Sequence, residues 1–582
     1  MDAAPQTPAP PPPAPYNVAQ YLVDRLKQCG LGHVFAVPGD YAANFLNALD
    51  RTEGIVRVPN INELGSGYAA DGYARFRGIG AACVQYGVGT FSALNCAAGS
   101  FVERVPVAII SASPRTKDRL LETEESILFH HSTGDLDSDR DIFAHVTVAS
   151  EIVSDPAEAP AQIDAAIGAM LTHRRPIYIE VLQDVWIAPC AQPAGILSGA
   201  LLMSEAKPLD ALLDAAWERI AAAERPILWF GIDIQRFGLQ DLAQRIVDSS
   251  GLPFTTTSLA KTVLDEAQDA FIGTYADAAS PASTRAAMKA CDCPIALGTI
   301  ITDDYLPIMA SSYGAMIAVN DEEARVGWAQ YLGVTLADVL EGLLDRFEGD
   351  SRFPRTCGRP EVDPEEPEAA GSGLTYNRFY RQLTGFLKDE DLLAESVLVL
   401  GESTSLYVFG NMFGLPRDSF VAQAAWGSLG HETGCALGVA LGSGKRPWVV
   451  AGDGGFMMIC QEISSLVRAG INAAVFVMSN RGYAIEQAFV NLDAFEPEGE
   501  FAAYDVLPVW DYLALAKAFG ARGFRVETAD QLAAVLGQVR DLRGVPALIE
   551  VVIPDKDLAP QLKRLATPPP ALRRQGRTGP IG

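Results

Sequence analysis

An aspartate and an asparagine 27 positions apart, Asp453 and Asn480, are the residues of this chain whose type and spacing best suit chemistry. Asp453 lies in AGDGGFMM, directly after the apolar run PWVV, and Asn480 closes AAVFVMSN. Two apolar strands joined by one amphipathic helix make a right-handed βαβ unit. Both side chains then fall at the carboxyl ends of strands in one sheet, the ligand edge of such folds. One anionic and one neutral oxygen ligand suit a hard cation such as Mg²⁺, which keeps positions open for water and phosphate oxygens. Gly452, Gly454 and Gly455 let backbone amides approach a phosphate at a helix N-terminus.

A second group is FHHSTGD, residues 129–135. The chain has only six histidines, yet His130 and His131 are adjacent. No cysteine or third histidine lies near enough to suggest a metal cage. On local sequence alone, two polar residues carried by a solvated loop are the better explanation.

The elements that position these residues fall into three segments. From Tyr16 to about 190, apolar runs (HVFAVPG, AACVQYGVG, VPVAIISA, PIYIEVL) alternate with helix-like stretches, the pattern of a parallel sheet covered on both faces. A second segment, about 205–345, repeats the style with PILWFGI, LPFTTT, CPIALGTII and AMIAVN. Residues 346–373, acidic and rich in Pro and Gly, read as a linker. The third segment, 374–562, alternates again through SVLVLGE, RPWVVAGDG, NAAVFVMSN and PALIEVVIP. Residues 563–582 read as a mobile tail. The expected fold class is α/β, with three doubly wound parallel-sheet domains. NELGSGYAADGYARFRGIGAACVQYGVG and GHETGCALGVALGSGKRPWVVAGDG echo each other: Glu, small residues at helical spacing, then a short strand ending in Gly.

Composition bounds the partners. The 582 residues exceed one core, and 49% hydrophobic with 20% charged residues is ordinary for a soluble globular protein. Mean hydropathy is +0.12. A net charge of −27 argues against nucleic acid or an anionic membrane, which need basic patches. No apolar run reaches the roughly 18 residues of a membrane span. Residues 1–15, MDAAPQTPAPPPPAP, lack the cationic start and apolar core of a secretory signal and read as a disordered tail. Nine cysteines, an odd number with no CxxC pair, suit reduced thiols in a cytoplasm.

The GDG…N stretch resembles the diphosphate- and metal-binding motif of thiamine diphosphate enzymes. With VPGDY, NELGSGYAADGYAR and FHHSTGD, the chain is similar, from about Tyr16 to Leu562, to the pyruvate/indolepyruvate/phenylpyruvate decarboxylase family. The resemblance implies three α/β domains: pyrimidine-binding, central and diphosphate-binding. It also implies a set of roles. Glu63 is expected at N1′ of the aminopyrimidine, favouring the imino tautomer whose 4′ nitrogen takes the C2 proton. The carbonyl of Gly427 accepts from the 4′-amino group, and Leu429 props the cofactor in its bent form. Asp453, Asn480 and the Gly482 carbonyl hold Mg²⁺. Thr404, Ser405, Gly454 and Gly455 meet the diphosphate, with Ser428, Gly452, Tyr483, Ala484 and Ile485 completing the cofactor-binding set.

By the same resemblance, Asp40, His130, His131 and Glu486 form the acid–base set around the substrate. The thiazolium is the electron sink, so these groups serve proton traffic: protonation at carbon after CO₂ leaves, and deprotonation as aldehyde departs. An imidazole with an ordinary pKa of about 6.5 suits that work near neutral pH. Leu406 falls where relatives place Trp or Phe against the substrate side chain. With Ile485 and Phe489 it would line the substrate pocket, leaving room for an aryl or long aliphatic side chain. The charged stretch RTKDRLLETEES reads as an unusually long loop before the His pair, and Glu402, near Leu406, adds a carboxylate that the sequence does not place. The expected reaction is non-oxidative decarboxylation of a 2-oxo acid to an aldehyde, in a homodimer or dimer of dimers. Pyruvate is the alternative substrate. An acetolactate synthase-type carboligase is the alternative class, and members of that group generally lack the adjacent His pair.

Overall fold

A computed structural model of the chain describes residues 15–355 and 373–567. The expected N-terminal tail up to residue 14, most of the expected linker (356–372) and the end of the C-terminal tail (568–582) lie outside the described residues. Helix Leu336–Gly349 occupies the first residues assigned to the linker, and helix Pro560–Ala566 occupies the start of the assigned tail.

Three sheets organise the chain, as the alternation of apolar runs predicts. The first is six-stranded and all parallel, in the order Val56–Pro59, His33–Ala36, Gly80–Cys83, Val107–Ser113, Ile177–Leu182, Ser150–Val153. The third is also six-stranded and parallel: Phe420–Ala422, Ser396–Leu400, Arg446–Gly452, Ala474–Ser479, Ala547–Val552, Arg522–Val526. The central sheet has seven strands and departs from the expected pattern on one edge. There Ala324–Val326 and Ala329–Gln330 run antiparallel. The apolar runs read from sequence are the inner strands, buried on both faces; Val107–Ser113 and Ile177–Leu182 are buried at every position.

The two echoing segments meet in space. Helix Glu63–Arg77 of the first layer packs lengthwise on helix His431–Ser443 of the third. Their small residues let the backbones touch: a Cβ at Gly438 would fall on the carbonyl of Ala69, and one at Gly434 would lie 2.7 Å from the Tyr68 ring. Small side chains here serve helix-on-helix approach, as well as packing onto a sheet. Buried ions cross the same seam. Asp71 accepts from Arg75 Nε at 2.7 Å and lies 2.9 Å from His431 Nε2, while Arg75 also reaches Glu103 at 2.6 Å.

Among the described residues no helix is long and apolar enough to cross a membrane. The described cysteines are free thiols.

Candidate active site

Asp453 follows the strand Arg446–Gly452 and opens the helix Asp453–Ile459; Asn480 follows the neighbouring strand Ala474–Ser479. The register Gly452↔Met478 sets both at the same edge. Both are 2% exposed. The connection is two short helices, Asp453–Ile459 and Glu462–Arg468, where one helix was expected. Asp453 Oδ1 accepts from the Gly454 N–H at 2.9 Å and Oδ2 from the Arg481 N–H at 2.6 Å. No cationic side chain balances the carboxyl, and burial pushes it up to about 7.

One cleft gathers Asp453, Asn480 and Gly482 with Thr404, Leu429, Gly452, Gly454, Gly455 and the turn Tyr483–Glu486. Two of its glycines are sterically constrained: a Cβ at Gly454 would strike the Tyr483 ring, and one at Gly455 would lie 3.0 Å from Glu432 Oε1. The cleft is rich in unsatisfied polar atoms. Glu402 Oε2 and both carboxylate oxygens of Glu432 are buried without a hydrogen-bond partner, as is Ser405 Oγ, which follows the cleft residue Thr404 in sequence. Burial pushes Glu432 up to about 7. A buried carboxyl lacking its counter-charge, a neutral amide beside it and a glycine-walled cradle fit a diphosphate held through a divalent cation. Among the described residues no three His, Cys, Asp or Glu side chains form a metal cage. The expected donor set, one carboxylate, one amide and one carbonyl, is not of that kind.

The turn after Gln423 carries the remaining cofactor residues. Gly427 has φ 70° and Gly430 φ 91°, left-handed values that favour glycine. Ser428 Oγ is 2.5 Å from the Tyr68 hydroxyl and accepts from Asn95 at 2.9 Å. Its N–H donates to Gln423 Oε1 at 3.0 Å.

The acid–base candidates of the first sheet cluster separately. Asp40, the segment Gln85–Gly87 and the His pair all lie beyond the carboxyl ends of adjacent strands. Asp40 accepts from Gln85 Nε2 at 3.1 Å, and the Tyr86 hydroxyl donates to the His130 carbonyl. The Tyr86 ring meets His131 edge-on at 5.8 Å, and the two imidazoles are 6.4 Å apart. Both histidines are exposed. His131 has φ 76°, and Gly87 leaves space for its carbonyl, where a Cβ would collide. Glu122 anchors the loop, accepting from the Phe129 N–H at 3.2 Å and from the Ser132 hydroxyl. Glu122 belongs to helix Thr116–Glu125, so the stretch expected as a loop is helical, consistent with its Leu, Glu, Lys and Arg content. Glu63 begins helix Glu63–Arg77, with its Cγ 3.3 Å from where a Cβ on Gly89 would lie.

Within one chain, Asp40, His130 and His131 gather around Gln85–Gly87 with Glu63 beside Gly89, while Asp453, Asn480 and Glu486 line a separate cleft. Of the expected substrate-pocket residues, Leu406 and Phe489 do not line this cleft within one chain. Leu406 is 2% exposed and packed in the apolar core of the third layer with Phe379, Phe409 and Phe476, so its side chain faces away from the cleft. Phe489 is 52% exposed and does not line the cleft, whereas Ile485 does. Glu432, Tyr376 and Gln85 were not singled out by the sequence. A carboxylate in GHETG, inside an otherwise small and apolar helix, was the available signal for Glu432.

Size does not identify the site. One cavity of about 960 Å³ lies between Gln28, Arg174, residues 197–203 and residues 320–324 and 330–337, and it shares no lining residue with the cleft.

The chain matches the families described as "Thiamine pyrophosphate enzyme, N-terminal TPP binding domain" over residues 16–138, "central domain" over 213–337 and "C-terminal TPP binding domain" over 405–551. It is 31% identical to an "Alpha-keto-acid decarboxylase" of Mycobacterium leprae, over 95% of this chain and 96% of that one. It is 28% identical to a "Pyruvate decarboxylase" of Aspergillus fumigatus, over 95% and 96% of the two chains. To "Pyruvate decarboxylase isozyme 3" of Saccharomyces cerevisiae it is also 28% identical, over 87% and 89%. With the cleft, its glycine cradle and the three-sheet architecture, these similarities establish that the chain belongs to the thiamine diphosphate-dependent 2-oxo acid decarboxylase family.

Proposed function

We propose that this enzyme releases CO₂ from 2-oxo acids whose side chains are larger than methyl, aryl or long aliphatic, using Mg²⁺ with its thiamine diphosphate. Bound thiamine diphosphate supplies the electron sink for cleavage of the carbon–carbon bond. The protein supplies the rest. Asp453, Asn480 and the Gly482 carbonyl would hold the cation, and Thr404 with the 454–455 amides would meet the diphosphate. Glu63 would hold a proton at the pyrimidine ring. Asp40, His130, His131 and Glu486 would move protons at the substrate carbon and oxygen. The observation that carries the Mg²⁺ assignment is the buried Asp453 carboxyl, hydrogen-bonded only to backbone N–H groups.

The lean towards larger side chains rests on the apolar part of the cleft wall, where Leu429 and Ile485 offer aliphatic surface; Leu406, packed in the core, is not part of it.

A homodimer, or a dimer of such dimers, is the proposed assembly, in the cytoplasm. Each catalytic centre would combine the Glu63 half-site of one subunit with the Asp453 cleft of another. Exposed apolar side chains beside both half-sites support this: Ile61 is 49% exposed, Val88 57% and Met458 52%. Such residues next to functional groups suit a surface covered by a second copy.

The deciding experiment couples aldehyde release to an alcohol dehydrogenase across pyruvate, phenylpyruvate, indolepyruvate and branched 2-oxo acids. The expected result is a kcat/KM for arylpyruvates at least about tenfold above that for pyruvate, worth roughly 1.4 kcal/mol. A preference for pyruvate would overturn the substrate assignment.

A further inference from the structure

Glu402 lies between the strand Ser396–Leu400 and the helix Thr404–Phe409, and none of the roles above uses it. Glu402 lines the same cleft as Leu429, Asp453 and Ile485. Its Cγ also approaches Gly427, where an added Cβ would lie 3.4 Å away. Oε1 is 3.5 Å from the Tyr407 hydroxyl; Oε2 is buried without a partner. The charged groups that act most strongly on it come from two other elements and are acidic, Glu103 among them being paired with Arg75. Asp303 and Asp304 belong to the short 3-10 turn Asp303–Tyr305 of the central layer, and Glu103 follows helix Val88–Val102. Tyr305 and Tyr407 complete the environment.

Burial first, then Asp304, pushes Glu402 up to about 8, and Asp304 itself is pushed up to about 6. At neutral pH the group is therefore a carboxylic acid with an O–H to give. Its unpartnered oxygen lacks a hydrogen bond that a bound molecule can make.

We propose that Glu402 is a further substrate-contacting residue, whose unpartnered Oε2 donates a hydrogen bond to the oxygen end of the bound 2-oxo acid. The inference rests on this cleft being the catalytic one. The physical logic is electrostatic. A 2-oxo acid is an anion, and an ionised Glu402 beside Asp303, Asp304 and Glu103 would repel it. The neutral acid instead offers a donor. Substrate binding should then weaken as pH rises through the Glu402 transition.

The test measures kcat and KM from about pH 6.5 to 9.5 for wild type, Glu402→Gln and Glu402→Leu, with the fastest-turned-over 2-oxo acid and saturating cofactor. A parallel titration of the holoenzyme with an unreactive 2-hydroxy acid reads binding without turnover. Wild-type KM and Kd are expected to climb above pH 8, approaching about tenfold per pH unit. The glutamine variant keeps a donor that cannot ionise, so both constants should stay flat with pH. The leucine variant, with neither donor nor charge, should raise KM below the transition, leave it flat with pH and change kcat less. A glutamine variant whose KM and Kd climb like wild type overturns the proposal, as does a leucine variant with unchanged KM. Loss of thiamine diphosphate binding in the glutamine variant would overturn it too, by making Glu402 part of the cofactor cradle. Failure of the wild-type holoenzyme to turn over any 2-oxo acid would count against the catalytic reading instead, while the 2-hydroxy acid titration still decides the role of Glu402.

Discussion

The Asp453 carboxylate accepts the Arg481 N–H at 2.6 Å, tying the end of one strand to the end of its neighbour. This contact aims the carboxylate along the sheet edge, beside Asn480, and leaves its charge without a cationic partner. Asp453→Ala should weaken thiamine diphosphate binding by at least about 100-fold, read by cofactor titration at fixed Mg²⁺. Chelation of wild type should abolish turnover and Mg²⁺ should restore it. Full turnover by a verified metal-free preparation would refute the metal assignment.

Glu63→Gln should nearly stop catalysis while leaving the melting temperature close to wild type. The amide preserves the volume beside Gly89 but cannot hold the proton required at the pyrimidine ring. Exchange of the cofactor C2 proton in deuterium oxide is the direct assay, and wild-type exchange rates in the variant would remove Glu63 from this role.

Arg75 is 8% exposed and bonded to Asp71, Glu103 and the Ala422 carbonyl. Glu103 in turn accepts from the N–H groups of Ala425 and Trp426 at 2.9 and 3.2 Å, steadying the turn that carries Gly427. Arg75→Met leaves two carboxylates buried without their cation. Chemical denaturation should show a loss of about 3–5 kcal/mol, since breaking a buried ion pair from one side is strongly destabilising.

Glu432 makes the protein without cofactor sensitive to pH. Its folded pKa of about 7 lies above the ordinary 4.5, so the neutral form is favoured by folding. The associated stability is complete below about pH 4.5 and is lost as pH rises through 7. Glu432→Gln should therefore be more stable than wild type at pH 8, by roughly 2–3 kcal/mol, with the gap closing towards pH 5. Melting curves across that range decide it. A glutamine variant less stable than wild type at pH 8 would contradict the assignment.

Leu406→Trp is expected to act on the core and not on substrate choice. Overpacking among Phe379, Phe409 and Phe476 should cost about 1–3 kcal/mol of stability. The ratio of kcat/KM for phenylpyruvate to that for pyruvate should stay near its wild-type value. A selective loss of phenylpyruvate activity would return Leu406 to the pocket.

The sequence by itself determined the inner strands, the three-layer order and the Asp453–Asn480 edge. Strands such as Val107–Ser113 and Ala474–Ser479, buried on both faces, must be continuously apolar, so composition alone reveals them. The strands it did not reveal lie at the rims of the sheets: Val56–Pro59, Ser150–Val153 and Arg522–Val526 among them, each with exposed or half-buried positions. Neighbours complete such strands, and no local apolar run marks them. Only the tertiary structure decided where individual side chains point. Leu406 and Glu402 flank the same short turn, yet one enters the core and the other the cleft, because helix Thr404–Phe409 presents one face to Phe379 and Phe476. Tertiary structure also raised the pKa of Glu402 and Glu432, through burial in both and, for Glu402, through acidic neighbours distant in sequence as well. Their raised pKa values arise from desolvation, and only packing supplies it.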